Sequence, residues 1–287
     1  MSFFKKITDY LRLIKFSHSV FALPFAFTGA LIAAEGIPEL RQIFWITVAM
    51  VGGRSGAMGM NRIADRNIDA LNPRTKNREL PRGVIKAWEA YAFTILSFAL
   101  LLFAAYMLNP LCLKVSPLVL LVLIGYSYTK RVTWLSHLVL GTALSLAPIG
   151  AWIAIRGTFD LEILLLSSAV MFWVAGFDVF YALQDMDFDK THGLYSIPAR
   201  FGIKTSLRIA GLFHLAAISL LLSLVPVFKL TGFYLAGVLI ASTLLIYEHS
   251  LVKPDDLSRL DMAFFNINGY ISITVFAFTL LNYLIPL

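Results

Sequence analysis

Apolar runs of about 20 residues recur along almost the whole of this 287-residue chain, separated by short polar stretches. A run of that length crosses the ~30 Å hydrocarbon core of a bilayer as a helix. Isolated strands and loops do not, because every backbone N–H and C=O there must be satisfied within the segment. Candidate spans cover roughly 16–34, 40–60, 88–108, 115–129, 134–155, 161–184, 206–226, 231–248 and 263–285. The runs are continuous and do not alternate with period two, which excludes a transmembrane barrel. The expectation is an all-α integral membrane protein with nine transmembrane helices in a bundle, forming a single membrane domain over 1–287.

Composition agrees. Hydrophobic residues make up 59% and charged residues 14%, whereas soluble domains carry about 25% charged residues. The formal net charge of +7 would suggest nucleic acid in a soluble protein. Here it reads as a basic cytoplasmic face beside anionic lipid, with no nucleic-acid partner and no obligate protein partner implied. With the N-terminus inside, alternate loops hold 19 of the 24 Lys and Arg residues. This asymmetry predicts a multi-pass protein of a prokaryotic inner (cytoplasmic) membrane, with its N-terminus cytoplasmic and its C-terminus outside. The N-terminal segment superficially resembles a secretory signal, but its apolar run is long enough to span and many more follow. The single cysteine, Cys112, excludes an intramolecular disulfide and a Cys-rich metal site.

Two acidic clusters end the second and sixth spans, at 61–69 and 178–189, on the same expected membrane face. In the first, Asn61, Asp65 and Asp69 are spaced i, i+4, i+8 and share a helical stripe. In the second, Asp178, Tyr181, Asp185 and Asp189 share a face at i, i+3, i+7 and i+11. Ionised groups in a membrane segment need partners or a water-filled cavity. Carboxylates converging on a central cavity that opens toward the cytoplasmic side would repel one another by about 4 kcal/mol per close pair. Bound cations relieve that repulsion. Carboxylates with no His or Cys beside them favour magnesium, which takes one or two carboxylates, waters and substrate phosphate oxygens. The pattern therefore points to a diphosphate site, with Arg74, Arg78, Lys130 and Arg54 as direct anion partners. Asp187, Asp255, Asp256 and Asp261 read as solvated charges.

The segment Asn61-x-x-x-Asp65-x-x-x-Asp69 resembles the first motif of the UbiA superfamily of intramembrane aromatic prenyltransferases. Asp178-x-x-Tyr181-Ala182-x-x-Asp185-x-x-x-Asp189 resembles its second. Arg74-Thr75-Lys76-Asn77-Arg78, Tyr126-Ser127-Tyr128-Thr129-Lys130-Arg131 and Gly193-x-x-Ser196 are similar to family text, and the resemblance runs over about residues 12–287. It implies transfer of a polyprenyl group from polyprenyl diphosphate to a lipid-accessible aromatic acceptor, with two magnesium ions (Mg2+) bridging to the diphosphate. It places Asp65, Asp69, Asp185 and Asp189 on magnesium, with Asn61 assisting. Arg74, Arg78 and Lys130 would meet the diphosphate, Tyr126 and Tyr181 would lie near the allylic carbon, and Arg54 near the acceptor's carboxylate. Asp178 would remove the ring proton or orient a metal-bound water.

The implied acceptor is a small aromatic acid, 4-hydroxybenzoate in ubiquinone biosynthesis. The alternative is 1,4-dihydroxy-6-naphthoate in menaquinone biosynthesis. Phe21-Ala22-Leu23-Pro24-Phe25 and Ser196-Ile197-Pro198-Ala199-Arg200-Phe201-Gly202 are similar to a bacterial subgroup for which the latter is plausible. A cation-coupled transporter would also use intramembrane acids, but such sites sit near the midplane on broken helices, and these acids sit at helix ends among arginines. A magnesium-dependent lipid phosphotransferase would leave phosphate on its product. Ser17 and His18 read as interfacial or packing residues. His137, His192, His214 and His249 share no metal-like spacing and carry no assigned function. Gly52, Gly53, Gly56 and Gly59 are expected to allow close helix packing around Asn61.

Overall fold

The structure, a computed structural model, describes residues 3–15 and 19–285. Ser17 and His18 lie outside the described residues. The elements in chain order are α1 (Phe3–Leu13), α2 (Ser19–Ala34), α3 (Leu40–Ala64), α4 (Arg66–Leu71), α5 (Ala87–Leu108) and α6 (Pro110–Gly125). There follow α7 (Ser136–Arg156), α8 (Ile163–Ala182), α9 (Met186–Thr191), α10 (Ile197–Phe228), α11 (Gly232–Leu251) and α12 (Asn268–Leu284). Short 3-10 turns occupy Tyr126–Arg131 and Leu183–Asp185, and a π-helical segment covers Met262–Ile267.

Nine spans are not confirmed. Among the described residues, seven helices are long and apolar enough to cross a membrane, the first beginning at Ala87 and the last ending at Leu284. The two expected spans outside this count are α2 and α3. The α2 helix has 16 residues, about 24 Å of rise, short of the hydrocarbon thickness. The α3 helix has 25 residues but interrupts its apolar run with Arg54, Ser55 and four glycines. Prolines within spans are accommodated locally. In α6, Pro117 cannot donate to the Leu113 carbonyl, and the Ser116 hydroxyl donates to that carbonyl instead, at 2.7 Å.

The chain divides into two compact units. The first comprises Ile43–Tyr128 together with the described residues up to Ser19. Here α3 and α5 approach closely because glycine removes the intervening side chain. A Cβ on Gly52 would lie 2.7 Å from the Ser97 carbonyl oxygen and from the Leu101 backbone nitrogen. One turn on, a Cβ on Gly56 would collide with the Phe98 ring. The expected role of this glycine stripe in helix packing is therefore met. Leu13, Leu80, Ile85 and Ala90 form a small core, and Tyr10 stacks on Phe93 at 5.1 Å. Arg62 is buried, with Nε donating to the Leu13 carbonyl at 3.1 Å.

The second unit comprises Val20–Gln42 and the chain from Thr129 onward. Its core surrounds α8, where Val170, Trp173, Val174, Phe177 and Phe180 are buried. Close approach again depends on glycine: a Cβ on Gly141 of α7 would collide with the Met171 carbonyl oxygen of α8. An aromatic line runs from Tyr181 to Phe264 (4.4 Å), from Phe264 to Phe177 (5.5 Å) and from Phe177 to Trp173 (4.9 Å). Three helices share a buried polar group. Glu248 is fully buried and accepts from Asn268 Nδ2 at 2.6 Å, and His214 Nδ1 lies 2.9 Å from His249 Nε2.

Candidate active site

In the first unit, the helical hydrogen-bond pattern continues past the end of α3. The Asp65 N–H donates to the Asn61 carbonyl at 2.9 Å, and the Asp69 N–H to the Asp65 carbonyl at 2.7 Å. The i, i+4, i+8 stripe is therefore a real one. Asn61 Nδ2 donates to Asp65 Oδ2 at 3.2 Å, so the amide steadies its neighbour's carboxylate. Asp65 and Asp69 are both buried. Arg78 Nη1 donates to both carboxylate oxygens of Asp69. The intervening turns are tied down by the Thr75 hydroxyl, which donates to the Asp69 carbonyl at 3.1 Å, and by the Arg74 N–H, which donates to Asn72 Oδ1 at 2.9 Å.

Arg54 and Tyr126 lie within electrostatic reach of each other. The Tyr126 hydroxyl donates to the Ala57 carbonyl at 3.2 Å, one turn along α3 from Arg54. Buried Arg54 Nε has no hydrogen-bond partner. A guanidinium N–H left without a partner in a buried position is costly.

In the second unit, α8 ends at Ala182, and a 3-10 turn carries the chain through Leu183–Asp185 into α9. A 3-10 turn advances each residue by a larger angle than an α-helix, so the expected continuous face from Asp178 to Asp189 is broken at Asp185. Asp185 and Asp189 remain within electrostatic reach of each other, and Lys130 and the Ser196 side chain reach Asp189. The Lys130 carbonyl accepts from the Tyr195 N–H at 2.7 Å. Tyr181 faces Phe264. Asp178 is tied to a histidine that also lies within electrostatic reach of Asp189. Its Oδ2 lies 2.7 Å from His137 Nδ1.

His137 and Ser196 are the residues that sequence reading undervalued. His137 sits 41 positions from Asp178, and no local spacing connects them. Asp187, Asp255, Asp256 and Asp261 are exposed, as expected. Asp256 receives hydrogen bonds from Ser258, which hold its carboxyl below the usual carboxylate range.

Among the described residues, no group of three or more His, Cys, Asp and Glu side chains is placed to hold a metal ion. Each cluster instead offers a pair of carboxylates with cations beside it. That set suits a hard ion completing its shell with waters and phosphate oxygens, and it lacks the thiolates and clustered imidazoles that softer metals use.

Residues 22–270 match the model of the UbiA prenyltransferase family. The chain is 34% identical over 256 residues to the 4-hydroxybenzoate octaprenyltransferase of Vibrio cholerae, covering 88% of each protein. It resembles the apo structure of a UbiA homologue from Aeropyrum pernix with a TM-score of 0.84 and 35% identity, over 91% of this chain and 96% of that one. It shares the fold of a UbiA homologue from Archaeoglobus fulgidus bound to GPP and Mg2+, at a TM-score of 0.68 and 20% identity, over 96% and 100% of the two chains.

Proposed function

We propose that this chain, which belongs to the UbiA prenyltransferase family, transfers a polyprenyl group from polyprenyl diphosphate to a ring carbon of 4-hydroxybenzoate. The Asn61–Asp65–Asp69–Arg78 group carries this reading: it is a buried carboxylate pair pre-organised by one amide and one guanidinium. The name shared by its relatives supports the acceptor. The protein works in the inner membrane of a prokaryote, with its N-terminus on the cytoplasmic side.

In this reading Asp65 and Asp69, and Asp185 and Asp189, would hold two magnesium ions, whose positive charge would stabilise the departing diphosphate. Arg74 and Lys130 bind phosphate oxygens. Arg78 keeps Asp69 in place with one nitrogen and offers its remaining N–H groups to the diphosphate. The allylic C–O bond breaks and its electron pair leaves with the diphosphate. The Tyr126 and Tyr181 rings stabilise the allylic cation through their faces. Arg54 pairs with the acceptor's carboxylate and turns the ring so that the carbon ortho to its hydroxyl meets the cation. A C–C bond forms, and Asp178 accepts the displaced ring proton.

The test is purified protein in detergent with magnesium and radiolabelled polyprenyl diphosphate, offered 4-hydroxybenzoate or 1,4-dihydroxy-6-naphthoate separately. A prenylated 4-hydroxybenzoate that disappears with chelator supports the reading. A product only with the naphthoate moves the assignment to menaquinone biosynthesis. Cation flux in reconstituted vesicles without prenyl donor, and no product with either acid, would overturn it.

A further inference from the structure

His137 has two hydrogen-bond partners, and together they define its chemical state. The Ile197 N–H donates to Nε2 at 3.1 Å. That nitrogen must therefore present its lone pair, and the ring proton resides on Nδ1. The Nδ1–H in turn donates to Asp178 Oδ2 at 2.7 Å. The Ile197 N–H is one of the donors that a helix leaves unpaired at its N-terminus. It is fixed in place because Ser196 caps α10 by accepting from the Ala199 N–H at 3.2 Å. The imidazole is 3% exposed, whereas the Asp178 side chain is 21% exposed. A buried, rigidly anchored ring thus grips one oxygen of a more open carboxylate and leaves Oδ1 as its other face.

We propose that His137 is a positioning residue for the transfer reaction, holding Asp178 by Oδ2 so that Oδ1 is aimed at the ring proton of the acceptor. This inference rests on the reading of Asp178 as the base. Positioning and packing separate by substitution. An asparagine places its amide nitrogen near the position of Nδ1, so His137→Asn keeps the donor to Asp178 and loses the acceptor for Ile197. A glutamine places its amide oxygen near Nε2, so His137→Gln keeps the acceptor for Ile197 and loses the donor to Asp178.

The experiment measures melting temperature, kcat and KM for the wild type and both variants in detergent with magnesium. It includes 4-hydroxybenzoate deuterated at the reacting ring carbon. The expected result is an inverted order: His137→Asn melts lower yet keeps kcat within about 3-fold, whereas His137→Gln melts near the wild type and loses roughly 10- to 100-fold in kcat at unchanged KM. A deuterium effect on kcat should emerge in His137→Gln alone, because proton removal has become slow. The inference is overturned if the two variants lose rate together, if His137→Gln keeps its rate, or if His137→Gln fails to fold. A wild type inactive with every acceptor overturns the underlying reaction and this inference with it, a result distinct from an active wild type with indistinguishable variants.

Discussion

Arg78 Nη1 sits 2.8 Å from Asp69 Oδ1 and 2.7 Å from Asp69 Oδ2, so one guanidinium nitrogen holds both oxygens of a carboxylate nine residues earlier. The Asp69 side chain is 5% exposed. Removing the arginine would strand a buried charge, which costs about 3 kcal/mol. Arg78→Ala should therefore lower the melting temperature and raise the KM for prenyl diphosphate, whereas Arg78→Lys should recover most of the stability and little of the affinity. Equal stability of all three proteins would show that the pair contributes nothing to the fold.

Asp65→Ala and Asp185→Ala should each abolish turnover while expression and helicity by circular dichroism stay near the wild-type level. In the wild type, chelator should stop product formation and added magnesium restore it. Loss of folded protein in both variants would assign the acids to structure instead.

Arg54 lacks a partner at Nε, and its proposed partner is the acceptor's carboxylate. Wild-type protein should therefore show a lower KM for 4-hydroxybenzoate than for phenol. Arg54→Gln should erase that difference while leaving the KM for the prenyl donor unchanged. Steady-state kinetics with the two acceptors provides the check, and a preserved preference in the variant would remove Arg54 from the acceptor's surroundings.

The α3–α5 contact depends on the missing side chain at Gly52. Gly52→Ala should destabilise by about 1–3 kcal/mol, since the nearest atoms are α5 backbone and cannot turn aside. Gly125, at the end of α6, has open space where a methyl group would go, with nothing within 4 Å. Gly125→Ala should therefore be neutral or stabilising by up to about 1 kcal/mol. Thermal unfolding of the two variants side by side tests the contrast.

In the second unit Asn268 Nδ2 supplies the hydrogen bond that Glu248 Oε1 accepts, at 2.6 Å. Asn268→Leu should cost about 1–3 kcal/mol by leaving Glu248 Oε1 without a donor. The double variant Glu248→Leu with Asn268→Leu should recover much of that loss, because neither polar side chain of the pair then remains buried without the other. A double variant less stable than the single one would contradict this.

The all-helical membrane character was legible in the residues themselves, because long apolar segments in hydrocarbon have no other way to satisfy their backbone. The contact of Asn61 with Asp65 was equally local: one helical turn brings i and i+4 together whatever surrounds them. Arg78 was readable as a cation near the cluster, but its bond to Asp69 depends on the turns between residues 72 and 83. The count of nine spans is not confirmed among the described residues, where α2 has 16 residues and α3 dilutes its apolar run with glycine and Arg54. What only tertiary structure decided are contacts across tens of residues: Tyr126 with Ala57, 69 positions apart, and His137 with Asp178, 41 apart. Sequence spacing encodes angle around one helix axis. It carries no information on which axes lie side by side, and that is set by packing, through features such as the glycine at 52 that lets two helices touch.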